Sequence, residues 1–161
     1  MKGLVLIWTI IITMSVACSQ IPGYEGTPMN NVEEIKSEYY SNYPEPGEIH
    51  KEITSQRVFE AEWNRVHEGM SPLPEVPSLN FEDREVILLM LDTKPSGGYG
   101  IDNLQVNEND TQIIVRYSEV RPGESCFTTQ ALTRPYKIFS IPQTEKEIQY
   151  LKSDPIVNEC N

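Results

Sequence analysis

His50 and His67 are the chain's two histidines, and Cys18, Cys126 and Cys160 its three cysteines. Acid–base, nucleophilic or soft-metal chemistry would have to be built from these five residues. The histidines lie 17 residues apart with no neighbouring ligand pair, against the close spacing of a zinc site. Neither stands in a recognisable motif with a Ser, Cys or Asp partner, so each is read as a solvated surface histidine. A nucleophilic Cys126 would need one of them as its base, and no local pattern supplies the pairing. The acidic turn Asn107 to Asp110 lacks the loop length of a calcium site. Lys94 to Tyr99 is glycine-rich, but it lacks the lysine-serine ending and following helix of a phosphate-binding loop. The residues therefore predict recognition and no enzyme: no catalytic set, no metal ligands and no cofactor.

Lys2, the apolar run Leu4 to Ile12 and the small residues up to Ala17 follow the order of an export signal. The run falls short of the roughly 20 apolar residues that span a bilayer. Cys18 directly after the small residues resembles the lipobox of bacterial lipoproteins. That resemblance implies a cleaved leader over residues 1–17 and Cys18 as the acylated, palmitate-bearing first residue, with the protein exported and anchored to the cell envelope. Ser19, in place of Asp, points to the outer membrane where one exists.

The chain of 161 residues carries a formal charge of −11. Loss of residues 1–17, which hold Lys2 and no acid, makes it −12. Such a surplus opposes nucleic acid, whose phosphates are bound by clustered Lys and Arg. In an oxidising compartment Cys126 and Cys160 are expected to pair, pinning the C-terminal tail beside the Cys126 loop. In the chain-entropy model the link contributes about 3 to 4 kcal/mol.

Proline, glycine and asparagine crowd residues 19–48, a composition that breaks regular structure and predicts a flexible tether over 18–48. Residues 49–161 are then one domain. Phe59, Trp63 and Val66 recur at helical spacing, with Gly69 as terminator and Pro72, Pro74 and Pro77 barring continuation. Val86 to Leu91 reads as a strand, Leu104 to Tyr117 as an antiparallel hairpin and Tyr136 to Ile141 as another strand. Ile148 with Tyr150 suggests a last strand, although 144–152 also suits a short helix. The fold expected is mostly β (α+β): an antiparallel sheet or small β-sandwich with one packed helix.

Turn-rich segments separate these strands, and loops held on a rigid scaffold are where binding residues concentrate. Lys94, Pro95, Ser96, Gly97, Gly98 and Tyr99 form one, with Pro95 fixing φ and the paired glycines allowing a sharp bend. Arg134, Pro135 and Tyr136 form another. Arginine and tyrosine are enriched among interface residues that carry binding energy, so Arg134 and Tyr136 are the expected anchors for a partner, the alternative being an edge charge and a core aromatic.

Asn80 Phe81, the strand Val86 to Leu91, Lys94 to Tyr99, Arg121 Pro122 Gly123, Cys126, Thr129 to Leu132 and Pro135 Tyr136 together resemble the C-terminal domain of the protease complex subunit PrcB family, over roughly Phe59 to Pro142. The resemblance implies an accessory subunit of a surface protease complex with no catalytic residue, in a family commonly exported as lipoproteins. More distantly, Lys94 to Tyr99 and Arg134 Pro135 Tyr136 are similar to the loops with which chagasin-like inhibitors enter a protease cleft. The function expected is a lipid-anchored, non-enzymatic envelope protein that binds a protein partner as an accessory or inhibitor-like subunit. The alternative is an envelope structural or glycan-binding lipoprotein, with Trp63 and Tyr24, Tyr39, Tyr40 and Tyr43 as stacking faces.

Overall fold

A strand that is apolar at every position must be covered on both faces, and Val86 to Leu91 is such a strand. In the computed structural model, which describes residues 26–160, its odd and even positions serve two different cores. Ile87, Leu89 and Leu91 meet Val106, Ile113, Val115 and Tyr117 of a facing sheet. Val86, Leu88 and Met90 instead meet Phe59, Trp63 and Val66 of the helix. The layers are therefore helix, sheet and sheet.

The elements in chain order are β1 (Thr27–Pro28), β2 (Glu33–Glu38), β3 (Ile49–Ile53), α1 (Gln56–Val66), β4 (Arg84–Met90), β5 (Gly100–Glu108), β6 (Gln112–Pro122), β7 (Tyr136–Pro142) and β8 (Glu147–Asn158). One sheet has the order β1-β5-β6-β8 and the other β2-β7-β4-β3. The fold is thus mostly β, a two-sheet sandwich with one helix packed outside it. Gly69, with φ of 83°, lies just beyond the end of α1, and the indole N–H of Trp63 donates to the Pro74 carbonyl at 3.1 Å.

β5 and β6 form the expected hairpin, longer than Leu104 to Tyr117. Its turn is closed by the Asn109 side chain, whose Oδ1 accepts from the backbone N–H groups of Thr111 and Gln112, each at 2.9 Å. Residues 147–158 form a strand and no helix. β8 runs parallel to β6 for a geometric reason. β7 ends beside the start of β4, and Lys146 then crosses to the turn of the facing sheet, where its Nζ donates to the Asn109 carbonyl at 2.7 Å. β8 and β6 consequently start from the same end.

The segment expected as a tether over 18–48 is corrected from Gly26 onward. Thr27 and Pro28 pair with β5, Glu33 to Glu38 pair with β7, and Tyr43 is buried in the helix-side core. The structure-breaking residues sit at the crossings: Asn31 and Gly47 adopt φ of 59° and 86°. On either side of Asn31, Met29, Val32 and Ile35 pack against the two cores, so the breakers punctuate short strands. The leader, Cys18 and Tyr24 lie outside the described residues.

Candidate functional site

Pairing of Tyr136 with both Met90 and Glu38, of Gly100 with Val120 and of Pro122 with Asn158 brings four segments to one end of the sandwich. The loops 91–99 and 123–135, the link after β2 and the C-terminal tail meet there, at a loop pole. The β5–β6 turn and Gly26 lie at the opposite, hairpin pole.

The loop pole is braced internally. Lys94 and Thr133 exchange backbone hydrogen bonds of 2.7 and 3.0 Å, and the Gly97 N–H donates to the Thr129 carbonyl at 2.9 Å. The Thr133 hydroxyl donates to the Ser96 carbonyl at 2.7 Å. Gly98 has φ of 86°, and a Cβ there would stand 3.0 Å from the Pro122 ring, so both conformation and space require glycine. Cys126 and Cys160 form a disulfide, and the Ser125 hydroxyl donates to the Cys160 carbonyl at 2.9 Å.

Below the loops Glu119 is 2 % exposed and receives three cations from three elements: Lys152 at 2.7 Å, Arg121 at 2.9 Å and Lys94 at 3.0 Å. Burial alone would raise this carboxyl. Hydrogen bonds from Lys152, Lys94 and Arg121 outweigh it and hold the group at about 2. A carboxylate so buried and so surrounded ties the root of the Lys94 loop to β6 and β8.

Arg134 and Tyr136, expected as surface anchors, are interior residues. Arg134 is 4 % exposed and its guanidinium donates to the carbonyls of Leu91 (3.2 Å), Tyr43 (2.5 Å) and Gly47 (2.7 Å). An arginine fork supplies enough donors to satisfy three loop carbonyls at once. The Tyr136 hydroxyl lies 2.9 Å from His67 Nε2, while His67 Nδ1 lies 2.7 Å from the Trp63 carbonyl. A carbonyl only accepts, so Nδ1 carries the proton and Nε2 accepts from tyrosine. Burial pulls the His67 imidazole below its ordinary value. Pro135 is buried with its neighbours.

In the other expected loop Pro95 and Gly98 are exposed, while Lys94, Ser96, Gly97 and Tyr99 are half-buried. The outermost apolar residues are ones not proposed as anchors from the sequence: Phe127 is fully exposed, and Leu132 is 65 % exposed and lines one cleft with exposed Tyr40. Their only sequence signal was an apolar type within a turn-rich stretch. Trp63 and Tyr43, expected as stacking faces in the glycan reading, are buried in the core.

His67, expected as a solvated surface residue, is buried. His50 stacks on Tyr150 with ring centroids 4.4 Å apart and lies 3.0 Å from the Tyr117 hydroxyl. The hydrogen bonds of the two histidine rings among the described residues go to Tyr117, Tyr136 and the Trp63 carbonyl, and no group of three His, Cys, Asp or Glu is arranged there to hold a metal. No described helix is long and apolar enough to cross a membrane.

The site is thus a two-sheet scaffold with braced loops at one end. Residues 86–142 match the family model described as PrcB C-terminal. The matched stretch spans β4 to β7 and both principal loops of the loop pole. The family so described is that of an accessory, not catalytic, subunit of a protease complex. No curated protein and no solved structure matches the chain significantly.

Proposed function

We propose that this is an exported lipoprotein, anchored to the envelope through Cys18, that binds a protein partner with its loop pole as an accessory or inhibitor-like subunit of a surface protease. The observation that carries this reading is the loop pole itself. Its backbone is braced by hydrogen bonds, the disulfide and the Glu119 ion cluster, and it turns Phe127, Leu132, Tyr39 and Tyr40 to solvent. Ordering the loops in advance lowers the entropic cost of association, and aromatic residues at the centre of a patch are the usual energetic anchors.

The anchor geometry supports the same reading. Seven residues separate Cys18 from Gly26, a reach of at most about 28 Å at the extended-chain limit. Gly26 enters at the hairpin pole, so a membrane at Cys18 faces that pole. The strands then carry the loops outward by roughly 30 to 40 Å at about 3.3 Å per residue.

The test is affinity capture from the membrane fraction with the full chain, alongside Phe127→Ala combined with Leu132→Ala and, separately, Cys18→Ala. We expect a captured envelope protein to be lost with the double variant while circular dichroism stays unchanged. Labelled palmitate should be incorporated in the parent and absent from Cys18→Ala. Equal capture by the parent and the double variant would sink the loop-pole assignment, and an unlabelled parent would sink the anchor.

A further inference from the structure

We propose that the cleft between β2 and β5 at the loop pole seats an extended segment of the partner, gripped through a lysine or arginine side chain. The inference rests on the partner-binding reading and names the chemistry of the segment bound.

The cleft has a volume of about 530 Å³ and is walled by Glu38, Tyr39, Tyr99, Gly100, Asp102 and Asn158. One side is a free strand edge. β1 pairs with β5 only at Asn107 and Glu108, and Met29 continues that contact to Val106. Gly100 to Asp102 therefore have no strand on their outer side among the described residues. A bulge between Asp102 and Gln105, with Asn103 at φ of 51°, interrupts the edge beyond them. The free ladder is three residues long, suited to a short extended segment adding by backbone pairing. At Gly100 a side chain would project toward the Tyr39 ring, whose edge lies 3.5 Å from the Cβ position. The bare glycine keeps this approach open.

Side chains choose the sign of the guest. Glu38 is paired with Lys36 at 2.7 Å, but Asp102 has no ion-pair partner among the described residues and accepts only the Asn103 N–H, at 2.7 Å. The two rings favour the same charge, since an aromatic face attracts cations. The Lys94 ammonium already lies 5.6 Å from the Tyr99 ring centre. An acidic guest would meet Asp102 and Glu38, and an apolar one would strip water from Asp102 without replacing its hydrogen bonds. A cationic side chain satisfies both carboxylate and rings.

The experiment is an NMR titration of the isotope-labelled protein with two capped tripeptides, acetyl-Val-Arg-Val-amide and acetyl-Val-Glu-Val-amide. The arginine peptide should shift the Tyr39 and Gly100 to Asp102 amides saturably, with a dissociation constant on the order of millimolar. The glutamate peptide should not. Asp102→Asn, whose amide oxygen keeps the cap on Asn103, should weaken the arginine peptide about two- to fivefold, the scale of an exposed ion pair. Asp110→Asn, an exposed acid at the hairpin pole, should leave the titration unchanged. Shifts with neither peptide, equal shifts with both, or shifts mapping elsewhere would overturn the proposal. If it falls while the Phe127 and Leu132 replacements still abolish capture, the partner-binding reading stands and only the guest of this cleft is wrong.

Discussion

Glu85 is the least compensated side chain in the sandwich. It is 4 % exposed, and its Oε1 has no hydrogen-bond partner among the described residues. Burial, with a smaller push from Glu52, raises its carboxyl from 4.5 to about 7. The folded state thus holds this proton more tightly than the unfolded chain, and the sign follows from linkage. The stabilisation is fully present below about pH 4.5 and is lost as pH rises through about 7. The whole effect reaches up to about 3 kcal/mol. Glu85→Gln should remove this dependence: melting curves from pH 4 to 9 should show the variant gaining on the parent as pH rises, and parallel curves would refute the assignment. The depressed His67 imidazole opposes it, losing stability as pH falls through its ordinary value near 6.5, so the difference between variant and parent is the quantity to read. For Arg134→Met the expected loss is about 3 to 5 kcal/mol in urea unfolding, because three loop carbonyls lose a charged donor together. Arg134→Lys should recover only part, since an ammonium lacks the planar fork. A loss below about 1 kcal/mol for Arg134→Met, the scale of an exposed charge, would return Arg134 to the surface role its residue type suggested. The identity of Arg134 was legible in the sequence. Its environment was not, because two of the carbonyls it holds come from residues 87 and 91 positions away.

At the scale of elements, legibility followed periodicity. The stripe on α1 and the run in β4 each carry one unambiguous repeat, and both elements form as read. β8 carries mixed signals, with a proline at Pro155 and only Ile148 and Tyr150 to mark a face. Its strand state is decided by β6, which pairs along it from Glu147 to Asn158. The disulfide then closes the end of that pairing over the 123–132 loop. Cys126→Ser with Cys160→Ser should lower stability by at most about 4 kcal/mol, the chain-entropy scale for this separation. β8 should stay protected in hydrogen exchange while residues 123–132 and the tail become exchangeable. Loss of protection along all of β8 would show instead that the link, and not the β6 pairing, holds the strand. Glu119 braces the neighbouring loop root independently, through side chains of β6, β8 and Lys94.

For the whole molecule the decisive feature is where the chain enters. Strands β1 and β2 add an edge to each sheet, so a chain starting at Gly26 should fold and one starting at Tyr39 should lose about 3 to 5 kcal/mol from the apolar packing of Met29, Val32 and Ile35. Urea titration of the two truncations checks this, and equal midpoints would restore a tether reaching to residue 48. The sequence by itself determined the β-rich class, the single helix and its packed face, the hairpin and the pairing of Cys126 with Cys160. These depend on local periodicity, turn chemistry and a count of thiols, all written within short stretches or forced by few alternatives. Only the tertiary structure decided that Arg134 and Tyr136 are internal, that Phe127 and Leu132 are outermost, and that the proline- and glycine-rich segment before residue 48 supplies two strands. Burial is a property of what lies across the sandwich, and partners some 70 to 100 residues apart in sequence leave no short-range pattern from which it can be read.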